Sequence, residues 1–455
     1  MSYNYTVNII NSIKNMAGKL LPQSKTKKQV LKGVSWLAGD KIVRLAISVF
    51  TGALVTRYLG PERYGTLSAL TAFAALFGPI ANMGVNSIIL RDIGAHPEKE
   101  KSIIDASIIL KMVGGVTSVL LAIAIALFAK QPQYQPLLVV FATFNFLFYF
   151  LDNFESWFYA RNEQRKPVIA GQISFMFTSA LRVACIILNL GLPAILLTYS
   201  LDSVLGGVLV YFNARKHLSF RILSVQYHKE NVLRLLKESL PLMFASMGTI
   251  IFMKIDKVIL PWLTTAYVLG IYSAATRLSE LWYFIPFSLC TAFAPLIAAA
   301  KSKSPEIYEK RMRKALIVVN LVTMSLALFT LLIGPFAINL YAGSKYVSAL
   351  PALQVHIWSL PFISIGLVVD IWLLNEHLQR LQVARTFTTA AVNIVLNILL
   401  VPKYGAVGAA WATLIAYTYP GFFANLLDKR TRAVFWLELR SIIPTPKNLQ
   451  LIFEK

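Results

Sequence analysis

The segment Trp36–Phe50, WLAGDKIVRLAISVF, lies in the first long apolar run of the chain and carries the charged residues Asp40, Lys41 and Arg44. A helix needs about 20 apolar residues to cross roughly 30 Å of hydrocarbon, and the run over residues 33–58 is long enough. Ionisable side chains inside such a helix are costly, so they usually face a cavity or one another. The segment therefore predicts a membrane helix with one polar face.

The whole chain has the composition of a membrane protein. Of its 455 residues, 56% are hydrophobic and 14% are charged, whereas soluble domains have roughly 25% charged residues. We predict an all-α integral membrane protein with about 12 transmembrane helices. The twelve apolar runs lie near residues 33–58, 65–92, 103–129, 136–159, 167–189, 192–213, 240–263, 268–300, 315–334, 350–374, 382–401 and 405–427.

The basic residues are distributed unevenly between the connections. The chain has 44 Lys and Arg against 21 Asp and Glu, an excess that in a soluble protein would suggest a nucleic-acid partner. If the N-terminus is cytoplasmic, the inner connections hold 32 basic residues and the outer ones hold five: Arg57, Arg63, Lys130, Lys345 and Lys403. This split follows the positive-inside rule, so we expect both termini in the cytoplasm and no nucleic acid as partner.

The N-terminal segment and the two cysteines suggest no further chemistry. Residues 1–32 lack the apolar core of a signal peptide. The helical spacing of apolar residues in Ile9–Leu20 predicts either a short helix on the inner surface or a disordered tail. Cys185 and Cys290 lie in apolar runs without metal-ligand spacing, so we expect buried small side chains and neither a metal nor a cofactor.

One long connection, ARKHLSFRILSVQYHKENVLRLLKES at residues 214–239, divides the membrane runs into two sets of six. Because six is even, both sets insert in the same direction, which predicts two lobes related by a pseudo-two-fold axis along the membrane normal. The stretches YLGPERYGTLSA (58–69) and WLTTAYVLGIYSA (262–274) are similar and occupy equivalent places in the two sets. We predict a basic cytoplasmic segment, a first lobe, a cytoplasmic linker, a second lobe and a basic cytoplasmic tail at residues 1–32, 33–215, 216–239, 240–427 and 428–455.

The short outer connections leave little room for an enzyme's extramembrane active site. The longest of them is GPFAINLYAGSKYVSAL, after the ninth run. The chain has no phosphate-binding loop of the Walker type, no HExxH and no Gly-x-Ser-x-Gly motif. We therefore predict that the protein is not an enzyme and that ion gradients or the membrane potential supply its energy.

Four stretches of the sequence carry a resemblance to a known family: TRYLGPERYGTLSAL (56–70), GPIANMGVNSIILRDIGAHPEK (78–99), FESWFYARNEQRKPVIAG (154–171) and MKIDKVILPWLTTAYVLGIYSAATRL (253–278). They resemble motifs of the polysaccharide flippases, the Wzx-type O-antigen exporters, within the superfamily that includes multidrug and toxic-compound extruders. In the third stretch the family's usual Phe-Gln-Gly is replaced by Tyr-Ala-Arg. The resemblance implies export of an undecaprenyl-pyrophosphate-linked sugar unit from the inner to the outer leaflet.

The charges of the first helix allow two interpretations. Asp40, Lys41 and Arg44 share one helical face in the inner half of the bilayer. In one interpretation Asp40 and Arg44 neutralise each other, being four residues apart, while Lys41 extends to the inner interface. In the other, all three line a cavity.

Other ionisable residues are predicted at a comparable depth. Arg277 and Glu280 are three residues apart, so they form either an ion pair of their own or part of a cavity wall. Arg182 has no acid within one helical turn, and Asp202 is its expected partner unless a ligand takes that place. Lys254 and Lys257 share a face, whereas Asp256 points elsewhere.

Deep cations exceed deep carboxylates by six to four, an excess that suits a pyrophosphate. Asp152 and Glu155 are expected nearer the inner interface, in contact with water, and His356 is expected to be a packed or wetted residue. The predicted cationic substrate site consists of Lys41, Arg44, Arg182, Lys254, Lys257 and Arg277. Candidates for proton or sodium coupling are Asp40, Asp202, Asp256 and Glu280.

The sequence therefore favours a flippase of the bacterial inner membrane that works by alternating access on lipid-linked oligosaccharides. Membrane lipids and polysaccharide-assembly proteins are its candidate partners. A cation-coupled drug or toxin antiporter of the same fold is the first alternative. A membrane enzyme acting on lipid-linked sugars is the second, and a pair of carboxylates on a loop would have favoured it.

Overall fold

The fold is built almost entirely from helices. The computed structural model describes residues 25–215, 225–442 and 445–453, and it describes side chains in the first helix from Val43 onward. The helices are α1 Lys25–Asn82, α2 Asn86–Ala95, α3 Glu100–Ala129, α4 Pro136–Thr143, α5 Asp152–Ala160, α6 Arg165–Ile187, α7 Gly191–Arg215, α8 Lys229–Leu263, α9 Ala266–Glu280, α10 Phe284–Lys301, α11 Pro305–Tyr341, α12 Leu350–His356, α13 Ser359–Asn375, α14 Gln379–Thr418, α15 Ala424–Leu427, α16 Arg432–Ile442 and α17 Pro446–Phe453. The predicted surface helix at Ile9–Leu20 and the side chains of Asp40 and Lys41 lie outside the described residues.

The described helices give twelve crossings in two lobes, as predicted. Within the described residues, eight stretches are long and apolar enough to cross a membrane, or nine if the bent pair α12 and α13 counts as one crossing. Two of the eight contain two crossings each, because α1 breaks at Gly60 (φ 68°) and α14 breaks at Gly405 (φ 55°). Helix α8 is the remaining long helix and completes the set.

The second apolar run ends earlier than predicted. Helix α1 stops at Asn82, the chain turns through Met83 and Gly84 with positive φ angles of 55° and 64°, and α2 begins at Asn86. Gly84 packs directly on α8, since a Cβ at this glycine would lie 2.7 Å from the backbone nitrogen of Met243. A tertiary contact therefore requires the break that apolar periodicity does not show.

The two lobes share a hydrophobic core at one end of the bundle only. We call this the Gly60 end, and the opposite end, where the long connection joins α7 to α8, the linker end. The shared core joins Leu67 and Tyr134 of the first lobe to Tyr272 and Leu353 of the second. At the linker end each lobe has its own buried cluster. The lobes are thus joined at the Gly60 end and more independent at the linker end.

Backbone contacts hold the lobes together at the Gly60 end. A Cβ on Gly65 would overlap the carbonyl oxygen of Ala266, and a Cβ on Gly270 would overlap that of Pro61. Arg57 adds hydrogen bonds from its Nη2 to two carbonyl oxygens of α11, at 3.0 and 2.7 Å. Gly65 and Gly270 are the equivalent glycines of the two similar stretches, so the internal repeat meets itself across the lobe interface.

The first turns of α8 pack against the first lobe. Val232 and Leu235 join its buried cluster at the linker end. Arg234 donates to Asp92 at 2.8 Å, and Arg91 contacts Glu238 at 2.5 Å. Further along, α8 enters the interface between the lobes, so one helix connects the linker to the cavity described next.

Candidate functional site

A cavity of 310 Å³ lies between the two lobes. Helices α1, α6 and α7 line it from the first lobe, and α8, α9 and α11 line it from the second. Its charged lining, among the described residues, consists of four cations and two carboxylates: Arg182, Lys254, Lys257, Arg277, Asp202 and Glu280. The described wall therefore has an excess of two positive charges.

Arg182 is held in this wall without a carboxylate partner among the described residues. Its Nε donates to Thr198 Oγ1 at 3.0 Å, and its guanidinium carbon lies 3.8 Å from the centre of the Tyr199 ring. The predicted pairing with Asp202 is wrong. Asp202 instead accepts a hydrogen bond from Ser174 Oγ at 3.2 Å, because that hydroxyl faces it from α6. Stacking and one neutral hydrogen bond orient the Arg182 charge without cancelling it.

The second lobe contributes Arg277 and an ion pair. Arg277 Nη2 donates to Ser48 Oγ at 2.5 Å and so connects α9 to α1. Lys257 Nζ lies 3.1 Å from Glu280 Oε1. Glu280 is thus paired with α8, and the alternative in which it pairs with Arg277 of its own helix is not the arrangement seen.

The adjacent residues of α8 have different surroundings. Lys254 lines the central cavity and has no hydrogen-bonding partner within the described part of the chain. Asp256 accepts hydrogen bonds from the Tyr272 hydroxyl at 2.5 Å and from the backbone nitrogen of Lys257 at 2.7 Å. Tyr272 in turn contacts Thr413 Oγ1 at 3.1 Å. Asp256 is therefore held by a hydroxyl network inside the second lobe.

A second cavity, of 250 Å³, extends from the central one into the second lobe. Lys254, Arg277 and Glu280 line both. His356 lines this second cavity, is 2% exposed and has its Nδ1 2.6 Å from Ser279 Oγ. The histidine is packed, as expected, and it also reaches the polar cavity, because α12 ends beside α9.

A third cavity, of 310 Å³, lies within the first lobe and has the opposite charge balance. Arg44, Asp152, Glu155 and Asp202 line it. The Arg44 guanidinium lies 5.1 Å from the centre of the Phe175 ring. Asp152 and Glu155 were expected near the inner interface, and the structure places both at this cavity because α5 faces α6 and α7.

A buried lysine and three cavity tyrosines are not among the residues predicted from the sequence. Lys111 is fully buried in the first lobe and donates to Asn86 Oδ1 at 2.6 Å. A lysine within the apolar run 103–129 was a visible signal for it. Tyr64, Tyr199 and Tyr341 line the central cavity, but tyrosines are common in apolar runs and gave no such signal.

An all-helical membrane bundle of two lobes around a charged cavity has the architecture of the secondary transporters. Two family models match parts of the chain. The model of the family described as "Polysaccharide biosynthesis protein" matches residues 30–301, and the MatE model matches residues 241–399. The chain belongs to the polysaccharide biosynthesis protein family, and part of it also matches the MatE model.

Two relatives and one solved structure are similar to the chain. An uncharacterized membrane protein of Methanocaldococcus jannaschii is 22% identical over 92% of this chain and 89% of its own. The "Probable flippase AglR" of Haloferax volcanii is 26% identical over 37% of this chain and 36% of its own. The inward closed structure of the lipid II flippase MurJ, 16% identical, covers 89% of this chain and 90% of its own with a TM-score of 0.71. The last similarity shows the fold.

Proposed function

We propose that this protein moves a polyprenyl-pyrophosphate-linked oligosaccharide from the cytoplasmic to the outer leaflet of the plasma membrane. The observation that carries the proposal is the cationic wall of the central cavity, where Arg182, Lys254 and Arg277 converge from three helices. A pyrophosphate carries at least two negative charges. Guanidinium and ammonium groups make charge-assisted hydrogen bonds to its oxygens, so this wall suits the anionic end of such a lipid.

The lobe contacts support alternating access. The lobes share a core at the Gly60 end and have separate cores at the linker end. If the basic linker end is cytoplasmic, this arrangement favours opening toward the cytoplasm, where the substrate is made. Outward movement of an anion follows an inside-negative potential, which is worth about 2.3 kcal/mol per charge per 100 mV. The potential can therefore drive export, and Asp202, Asp256 and Glu280 are the candidates for additional proton or sodium coupling.

The two named relatives do not restrict the carrier lipid to the one that bacteria use. Both are archaeal proteins. The proposal therefore covers any long polyprenyl carrier, and undecaprenyl pyrophosphate with an O-antigen unit in an inner membrane is its bacterial form. Both termini in the cytoplasm and a role beside polysaccharide-assembly proteins belong to the same proposal.

Depletion of the protein in its own host tests this function. We expect complete lipid-linked units to accumulate where a membrane-impermeant reagent added outside the cell does not reach them. Complete units that stay accessible to the outside reagent after depletion would contradict the proposed flippase function. Incomplete units that lack one sugar would favour the alternative of a membrane enzyme.

Variants of the cationic wall test the assigned site. Arg277→Gln should abolish export in cells that contain normal amounts of the inserted protein, and Arg277→Lys should restore only part of it, because the two-pronged guanidinium contact is lost. Lys403→Gln is the matched control, since this lysine is exposed at the Gly60 end and lines none of the three cavities described above. Full export by Arg277→Gln would remove Arg277 from the site.

The second candidate function is a cation-coupled antiporter. The carboxylates of the first-lobe cavity, Asp152, Glu155 and Asp202, favour it, because they suit a cationic compound or a coupling ion. The MatE match over residues 241–399 is consistent with this function. Efflux of a fluorescent cation such as ethidium by the purified protein in vesicles, together with normal lipid-linked units after depletion, would select the antiporter.

A further inference from the structure

Helix α16, which follows the last crossing, has two faces of different character. Val434 and Leu437 are buried and join the linker-end cluster of the second lobe, where they meet Met312 of α11. On the other face, Trp436 is 52% exposed and Leu439 is 39% exposed. The helix is thus anchored to the lobe through one side and presents a large aromatic and an aliphatic side chain on the other.

The last crossing ends in exposed apolar side chains a few residues before α16. Leu426 and Leu427 are 41% and 69% exposed, as expected of side chains that face lipid. Tryptophan is enriched at the boundary between hydrocarbon and headgroups. A helix with one apolar exposed strip at this level lies in the plane of that boundary.

Basic residues surround the same strip. Arg432 and Arg440 are exposed on α16, and Lys429 and Arg430 are exposed just before it. Arg430 is bound by Asp428 through two hydrogen bonds, at 2.8 and 3.1 Å. Lys429 has no partner within the described residues, which leaves its ammonium group available to a ligand.

A pocket of 520 Å³ adjoins these cations between the last two crossings. Leu381, Tyr419 and Leu427 form apolar parts of its wall, and Arg385 and Lys429 form basic parts. A phosphate group beside Lys429 with an acyl chain along Leu427 would satisfy both parts of this wall.

A chain of buried hydrogen bonds connects α16 to the transport cavities. Asn425 donates to Glu438 Oε1 of α16 at 2.7 Å. Asn425 Oδ1 accepts from Arg385 Nη1 at 2.6 Å. Arg385 belongs to α14, and the same helix carries Asn393 into the second-lobe cavity. Helix α16 is therefore connected by hydrogen bonds to a helix that lines the second-lobe cavity.

We propose that α16 and the adjoining pocket bind anionic phospholipids of the leaflet at the linker end. The apolar strip enters the headgroup boundary, and Lys429, Arg432 and Arg440 contact the lipid phosphates. A membrane surface fits better than a soluble partner, because the chain enters α16 directly from the last crossing, whose final residues Leu426 and Leu427 are exposed like side chains that face lipid. Binding at this place ties the packing of α16, and through it α14, to the charge of the membrane.

Hydrogen exchange of the full chain in nanodiscs tests the proposal. We expect residues 432–442 to take up deuterium several-fold more slowly in phosphatidylglycerol nanodiscs than in phosphatidylcholine nanodiscs. The triple variant Lys429→Gln, Arg432→Gln, Arg440→Gln should lose this difference. The matched control, Lys130→Gln, Lys345→Gln, Lys403→Gln, removes three charges at the Gly60 end and should keep it.

Three results would overturn the proposal. One is equal exchange of the wild type in both lipids. Another is protection that appears in phosphatidylcholine when inorganic phosphate is added, which would assign the cations to a soluble anion. The third is protection that depends on two copies per disc and not on lipid charge, which would assign the face to a second copy of the chain. Tryptophan quenching by brominated lipids should decrease, without being lost, when Trp436, one of eight tryptophans, is replaced in Trp436→Phe, and this readout does not require transport.

Discussion

Buried charges in this protein are positioned by partners on other helices. Lys257 of α8 is paired with Glu280 of α9, and Arg277 of α9 donates to Ser48 of α1. In a low-dielectric interior an ion pair is weak evidence of net stability, but removal of one member leaves a costly unpaired charge. Mutation of a residue in an ion pair should therefore have a different effect on stability from mutation of a charged residue that has no charged partner.

Lys257→Gln and Glu280→Gln should each destabilise the protein, because each leaves a charge without its partner, but by less than the roughly 3–5 kcal/mol of a fully buried pair, because Glu280 is 27% exposed. The double variant should recover most of this loss because both charges are gone. Thermal unfolding in detergent measures the effect in a double-mutant cycle, which compares the wild type, the two single variants and the double variant. Additive losses in the double variant would show that the two residues do not act as a pair.

Lys254→Gln provides the contrast one turn away on the same helix. Lys254 has no hydrogen-bonding partner within the described chain, so its removal should leave the unfolding temperature almost unchanged. We expect export to fall all the same, because the cavity loses a cation. Normal export by a normally stable Lys254→Gln protein would remove this residue from the substrate site.

Glu438 illustrates how burial controls a charge outside the crossings. Burial raises the pKa of its carboxyl to about 9, although Arg385 and the hydrogen bond from Asn425 act in the opposite direction. A folded-state pKa above the unfolded value favours the protonated form. The stability that Glu438 contributes is therefore complete below pH 4.5, the ordinary value, and is lost as the pH rises to about 9.

Glu438→Gln should remove this pH dependence. The amide has the shape of the protonated carboxyl and can still accept from Asn425, so we expect the variant to equal the wild type at pH 5 and to exceed its stability at pH 9. Unfolding temperatures at the two pH values measure the difference. If the unfolding temperatures of the wild type and the variant fell equally between pH 5 and 9, this result would contradict a neutral Glu438.

At the scale of elements, two helix starts make a close backbone contact between the lobes. The first turns of the second arm of α1 and of α9 meet through Gly65 and Gly270, with no room for a side chain on either. Glycine is required here for close approach rather than for its backbone angles. The contact keeps the Gly60 end closed.

Gly270→Ala should open this contact. The added methyl group would overlap the carbonyl oxygen of Pro61, so the two helix starts must separate and the closed Gly60 end should become less populated. Distances between spin labels on the two lobes measure the shift. Gly78→Ala is the control. Gly78 lies on the second arm of α1, which also carries Gly65, and a Cβ added at Gly78 would have no atom within 4 Å. Unchanged distances in Gly270→Ala would show that the contact does not hold the lobes.

At the scale of the molecule, the basic residues predict its orientation. Reporter fusions after Lys166, Lys237 and Lys314 should be cytoplasmic, and those after Lys130 and Lys345 should be outside. The reason is the ratio of 32 to five basic residues between the two sets of connections. An inverted fusion within the first six crossings would contradict the arrangement of two parallel lobes.

The sequence by itself determined the class of the molecule. Apolar runs of sufficient length specify spanning helices, because a bilayer leaves few other structures with satisfied backbone groups. The number of crossings, the division into two lobes and the family follow from run length, the position of the linker and the short motifs. These are local or additive properties, so they can be predicted from the sequence alone.

Only the tertiary structure decided which charges meet. Arg182 lies beside Thr198 and Tyr199 rather than Asp202, and Glu280 pairs with Lys257 rather than Arg277. Periodicity assigns a residue to a face of its own helix, but the neighbour of that face depends on how twelve helices pack. The break before α2 likewise follows from the contact between Gly84 and α8, which no local pattern records.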